Sequence, residues 1–156
     1  MFKTKHPERI AFFVMVAILL LALPTGVMAT KQIYKAQLQP IVDGAKTSGN
    51  IALITVPQGV RFEGMVANNT SPVSKIFILK KDGAGGESFR LSLCNMRGAT
   101  CEVLDDGTLK FQGYVKLTGG VTGKQFMDAM YSEQLEVLVT TDANPDGEAG
   151  GTIKAQ

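Results

Sequence analysis

This chain of 156 residues contains one histidine, His6, and no tryptophan. His6 stands in a segment that reads as an export leader, so the exported form is expected to hold no imidazole. That removes histidine-built zinc and copper sites, and any serine or cysteine nucleophile served by a histidine base. Tyr34, Tyr114 and Tyr131 are the only tyrosines and lie far apart in the chain, so a stacking platform for sugar rings is poorly supplied. The two cysteines are too few for a structural zinc site. No apolar run reaches the roughly 20 residues of a membrane-spanning helix.

The longest apolar run, residues 10–23, is about 14 residues, the length of a signal-peptide core. Lys3, Lys5 and Arg9 precede it, and Pro24 and Gly26 break it. Val27-Met28-Ala29 then supplies branched and small residues for cleavage between Ala29 and Thr30. The expectation is a leader over residues 1–29 and a secreted or periplasmic domain over residues 30–156. The alternative is an uncleaved N-terminal helix acting as an anchor. No cysteine follows the apolar run, so a lipid-anchored form is not expected. The leader holds three of the 16 Lys and Arg residues and one of the 14 acids, which leaves 13 of each. A neutral domain without a basic stripe is not expected to bind nucleic acid.

Cys94 and Cys101 form an even pair in a chain read as exported, which favours a disulfide. The intervening Asn-Met-Arg-Gly-Ala-Thr can turn, and two strands joined by that turn would bring the sulfurs together. A loop this short contributes about 2.5 kcal/mol on the chain-entropy model. The spacing is not that of a redox Cys-x-x-Cys pair.

Residues 34–38, 61–67, 89–93, 109–117 and 135–141 alternate apolar and polar, as half-buried strands do. Residues 51–56 read as a continuously buried strand, with Gly59 turning the chain into the next one. Residues 75–79 and 152–155 bring the count to about eight strands. One helix is expected over residues 122–131, capped by Thr122 with Gln125 three residues on. Phe126, Ala129 and Met130 would share its apolar face. The fold class is therefore all-β, a single antiparallel sandwich with one short helix.

The end of the chain carries a resemblance. Phe126-Met127-Asp128-Ala129-Met130 leads into Leu135-Glu136-Val137-Leu138-Val139-Thr140-Thr141, then Asn144-Pro145-Asp146-Gly147-Glu148 and Gly151-Thr152-Ile153. This resembles the closing motif of the CHRD family, named after chordin, in which a helix precedes a V-x-V-H-T strand and an N-P-x-G-E-I-x-G-x-I hairpin. Pro40, Val42, Ser48-Gly49 and Ala52-Leu53 are similar to the family's opening. The resemblance covers residues 34–155 and implies an immunoglobulin-like or superoxide-dismutase-like Greek-key sandwich. It also marks a divergent member. Lys75-Ile76-Phe77 stands where the family often has H-I-H, Thr140 where it has a further His, and Ala149-Gly150 where it has I-R. No metal or acid–base role of those histidines carries over.

The remaining motifs are weak. Asp142, Asn144 and Asp146 start like a calcium loop, but Ile153 falls where the bidentate Glu belongs, so a hairpin turn is the simpler reading. Asp82 to Gly86 lacks the terminal G-K-S/T of a phosphate loop. Ser74-Lys75 and Ser88 are the candidates for a Ser–Lys hydrolase, yet neighbours on a strand point to opposite faces. Asn68-Asn69-Thr70-Ser71 holds overlapping glycosylation sequons. Phe77, in a position the family fills with His, is expected in the core. The functional expectation is an exported, non-enzymatic interaction or structural module without a cofactor. Its partner would be a protein or an envelope component, met at loops containing Asn68 and Asn69, then Asp82, Gly83, Gly86 and Glu87, then Asp146 and Glu148. The alternatives are a weak calcium-binding module and a hydrolase with a Ser–Lys or carboxylate pair.

Overall fold

The structure is a computed structural model that describes residues 31–82, 86–117 and 121–156. The leader with its Ala29–Thr30 junction, and Gly83, lie outside the described residues. The strands are β1 (Ile33–Pro40), β2 (Ser48–Val56), β3 (Gly59–Ala67), β4 (Val73–Lys81) and β5 (Glu87–Ser92). They continue with β6 (Thr100–Val103), β7 (Leu109–Lys116), β8 (Leu135–Thr141), β9 (Ala149–Thr152) and β10 (Lys154–Ala155). Helix α1 (Val121–Tyr131) lies between β7 and β8. The described residues thus adopt the all-β class with one short helix. Two strands exceed the expectation, because β6 is wholly exposed and shows no alternation, and because the last strand breaks at Ile153.

All pairings are antiparallel, in the order β5-β4-β8-β9-β1-β2-β3-β7-β6. β1 changes partner along its length: Tyr34 and Lys35 pair with β10, Gln39 and Pro40 with β9. The sheet curls, and its two edges, β5 and β6, are consecutive in the chain. The sulfurs of Cys94 and Cys101 are at disulfide distance, with Cα atoms 5.7 Å apart. They lie just beyond β5 and within β6, so the link joins the edges of the sheet. This corrects the expected hairpin: β6 pairs with β7 and β5 with β4, and the connecting residues 93–99 make two tight turns of their own.

The inner face follows the alternation. Tyr34, Ala36 and Leu38 of β1, Phe62 and Val66 of β3, and Val137 and Val139 of β8 share one core cluster with Phe126, Ala129 and Met130 of α1. β2 departs from the expected continuous burial: Ile51 and Leu53 are buried, Asn50 is exposed, and Ala52 and Ile54 are half-buried, because its outer face meets solvent. The β2–β3 turn consists of Pro57 and Gln58, with Gln58 at φ 69°, and Gly59 is already the first residue of β3. Gly59 is required there by the Tyr114 ring, which would lie 2.3 Å from an added Cβ. Two further glycines face aromatic rings across the β3–β7 pair. Phe62 stands opposite Gly113 and Phe111 opposite Gly64, so each ring fills the space above a glycine.

Helix α1 begins at Val121, which makes Thr122 its second residue instead of its cap. Its C-terminus is closed by the N–H of Gln134 on the carbonyl of Ala129 and that of Glu133 on Met130, with Glu133 in the left-handed region at φ 54°. This pairing of bonds is a Schellman motif, formed here with Glu where Gly is usual. The Glu133 carboxylate accepts the N–H of Ala155, which holds β10 against the helix end.

Candidate functional site

The strands define two ends. One carries residues 41–47, the loops 68–72 and 142–148, and the start of β9. The other carries α1, the Pro57–Gln58 turn, and Asp82 and Gly86 beside the ends of β4 and β5. The residues expected to meet a partner are therefore divided between the two ends. Asn68, Asn69 and Asp146 belong to the first end. Asp82, Gly86 and Glu87 belong to the second, about 26 Å away along the nine residues of β4.

At the first end the decisive residue is Glu148. It is completely buried, which corrects its expected place on an exposed binding loop. Its Oε1 accepts the Thr47 hydroxyl and the Thr70 N–H, the latter at 2.9 Å. Its Oε2 accepts the Thr70 hydroxyl, the Thr141 hydroxyl at 2.6 Å and the Asn144 amide at 2.8 Å. Burial alone would raise the carboxyl pKa. The hydrogen bonds from Thr141, Thr47 and Thr70 outweigh it and hold the group well below the usual carboxylate range. All five donors are neutral, and they come from before β2, after β3, the end of β8 and the turn before β9. Glu148 thereby fastens four separate stretches of chain. The Asn-Pro-x-Gly-Glu sequence supports it locally: Pro145 and Gly147 (φ 134°) make the turn, and Asn144 faces back onto the carboxylate.

This use of Asn144 bears on the calcium-like loop. Its amide donates to Glu148, while Asp142 and Asp146 are exposed. Among the described residues no group of three or more His, Cys, Asp or Glu is arranged to hold a metal ion. The sequon residues are engaged too: Asn68 donates to the Ser48 hydroxyl, Asn69 to the Ser71 carbonyl, and Thr70 to Glu148. Lys75, Phe77 and Thr140 are neighbours across β4 and β8, with Lys75 directly opposite Thr140. The Thr140 hydroxyl pairs with that of Ser74 at 2.9 Å. Phe77 is buried, but on the face of β4 opposite the core residues Ile76 and Ile78, with the Arg90 guanidinium 4.6 Å above its ring. Ser88 lies exposed on β5.

The second end holds a cleft that no sequence motif marks. β6 covers β7 only from Leu109 to Gln112, so residues 113–116 of β7 face the free edge of β5 across an unclosed seam. A cleft of about 400 Å³ opens there. Its apolar lining comes from Phe89 and Leu91 of β5, Met96 of the disulfide loop, Val115 and Leu117 at the end of β7, and Phe126 of α1. Gly123 lets the first turn of α1 come close, since an added Cβ would sit 2.8 Å from the Leu117 carbonyl oxygen. Among the described residues three basic ones, Arg90, Arg97 and Lys116, line the cleft and no acidic one does. Arg90 is held by Glu87 through its guanidinium, a hydrogen bond that lowers the Glu87 pKa. Arg97 and Lys116 are exposed and have no ion-pair partner among the described residues. The size and apolar lining are those of a small-molecule site.

Among the described residues no helix is long and apolar enough to cross a membrane. Comparison of the chain with protein-family models, with curated proteins and with solved structures finds no match.

Proposed function

We propose that residues 30–156 are an exported, non-enzymatic binding module, a divergent CHRD-like β-sandwich, and that its ligand occupies the seam cleft. The observation that carries this reading is the cleft itself: an apolar recess where β5 and the end of β7 are left unpaired, lined by two cations without an ion-pair partner among the described residues. The linked Cys94 and Cys101 hold the two edges beside it and fit an oxidising compartment. The CHRD-like reading draws support from β4 and β8, which set Lys75, Phe77 and Thr140 side by side where the resembled family carries histidines. Glu148 at the far end serves structure, fixing the loops whose sequence carries the resemblance.

Three measurements test the proposal. N-terminal sequencing of protein recovered from the envelope or medium should begin at Thr30; an intact leader on membrane-bound protein would favour the anchor. Native mass spectrometry of the same material should show a co-purified small molecule that is lost when Met96→Trp fills the cleft. Turnover in a broad hydrolase screen, abolished by Ser74→Ala, would overturn the non-enzymatic reading.

A further inference from the structure

The chemistry of the cleft lining narrows its ligand, and this inference rests on the cleft being the binding site. We propose that the cleft takes a single-chain amphiphile with an anionic head group. The tail would lie against Phe89, Leu91, Val115 and Phe126, and the head against Arg97 and Lys116.

Three observations converge on that class. The first is composition. Apart from its basic residues and the Tyr114 hydroxyl, the cleft is lined by aliphatic and aromatic side chains and Gly123, so it suits a hydrocarbon and offers few groups for a polar body. The second is charge. Residues 30–156 carry equal numbers of acids and bases, yet the described residues that line this opening include three bases and no acid. Glu87 satisfies Arg90, which leaves Arg97 and Lys116 as two cations without partners among the described residues. The third is orientation. Gly123, in the first turn of α1, lines the same cleft, and that turn holds no acidic residue, so the positive end of the helix adds to the field at the mouth. A neutral lipid would leave these charges unanswered, and a polar anion without a tail would leave the apolar lining wet.

The experiment is calorimetric titration of the purified protein with a homologous series of straight-chain carboxylates and with the matching alcohols. Each added methylene should tighten carboxylate binding about fourfold until the cleft is full. Carboxylates should bind more tightly than alcohols of equal length. The double variant Arg97→Glu, Lys116→Glu changes two exposed side chains, and an unaltered melting curve will show that it folds. It should weaken the carboxylates by about tenfold or more and leave the alcohols unchanged. Met96→Trp should weaken both series. Alcohols that bind as well as carboxylates, with both blind to the charge reversal, would overturn the anionic head group while sparing the cleft as a site. If neither series binds, or if Met96→Trp changes nothing, the cleft reading fails as well.

Discussion

Replacing Glu148 by Gln is the sharpest test of how this fold is held. The carboxylate accepts hydrogen bonds from Thr47, Thr70 (twice), Thr141 and Asn144 with no cation in the set. A glutamine must place its NH2 where one oxygen was. At Oε1 it would oppose the Thr70 N–H, which cannot reverse. At Oε2 it meets two hydroxyls and an amide, all of which can turn, so the nitrogen goes there. The packing survives; the charge is lost, and since an NH2 carries two hydrogens, one of the three partners there goes unpaired. Hydrogen bonds to a charged group contribute about 1.5–3 kcal/mol each against about 0.5–1.5 for neutral ones. Relief of the buried charge's desolvation cost, several kcal/mol, offsets part of that difference. The lowered pKa shows the hydrogen bonds winning, so a net loss of roughly 2–3 kcal/mol is expected, or about 10 °C in melting temperature. The pH dependence gives an independent reading. A depressed carboxyl pKa contributes stability that is complete above the unfolded-state value of about 4.3 and is lost as pH falls towards the folded value. Each pH unit in that window costs wild type about 1.4 kcal/mol through this group alone, and Glu148→Gln should lack that part of the slope. Urea melts of both proteins at several pH values between neutral and strongly acid would measure it. A variant within about 2 °C of wild type at neutral pH, with the same acid limb, would refute the reasoning.

Reduction of the Cys94–Cys101 link, or the double Ser replacement, should cost about 2.5 kcal/mol, read as a lower urea midpoint that reductant no longer shifts in the variant. Quantitative alkylation of both thiols in the untreated protein would exclude the bond. Gly113→Ala should destabilise by about 1–3 kcal/mol, because its Cβ would lie 2.4 Å from the Phe62 ring and 3.1 Å from the Ala99 Cα, neither of which can retreat freely. Gly98→Ala, with nothing within 4 Å but φ at 83°, should be penalised by backbone strain alone, and a combined Phe62→Leu change should rescue Gly113→Ala but not Gly98→Ala.

The alternation that buries one face of β1, β3 and β7 was readable because each of these strands has one wet side, and in β8 because Glu136 and Leu138 are only half-buried. β6 was not, since all four of its residues are exposed and an edge strand needs no apolar face. The sequence proximity of Cys94 and Cys101 suggested a hairpin, since neighbouring strands usually pair. Here the short connection joins the two edges of one curled sheet. At the first end the Asn-Pro-x-Gly-Glu turn was legible and the burial of its Glu was not. Glutamate is ordinarily exposed, and Thr47 and Thr70, which remove that preference, lie 101 and 78 residues away in sequence. The cleft left no mark at all, because Phe89, Leu91 and Val115 read as ordinary core alternation until the absence of a strand beside residues 113–116 is known.

β1 lies inside the sheet, with β2 on one flank and β9 and β10 on the other. The middle of the sheet is thus assembled from stretches more than 100 residues apart, and Gln156 donates its N–H to the Ile33 carbonyl. Such distant pairing slows folding, because the entropy of closing the long loop between β1 and β9 must be met before the contacts form.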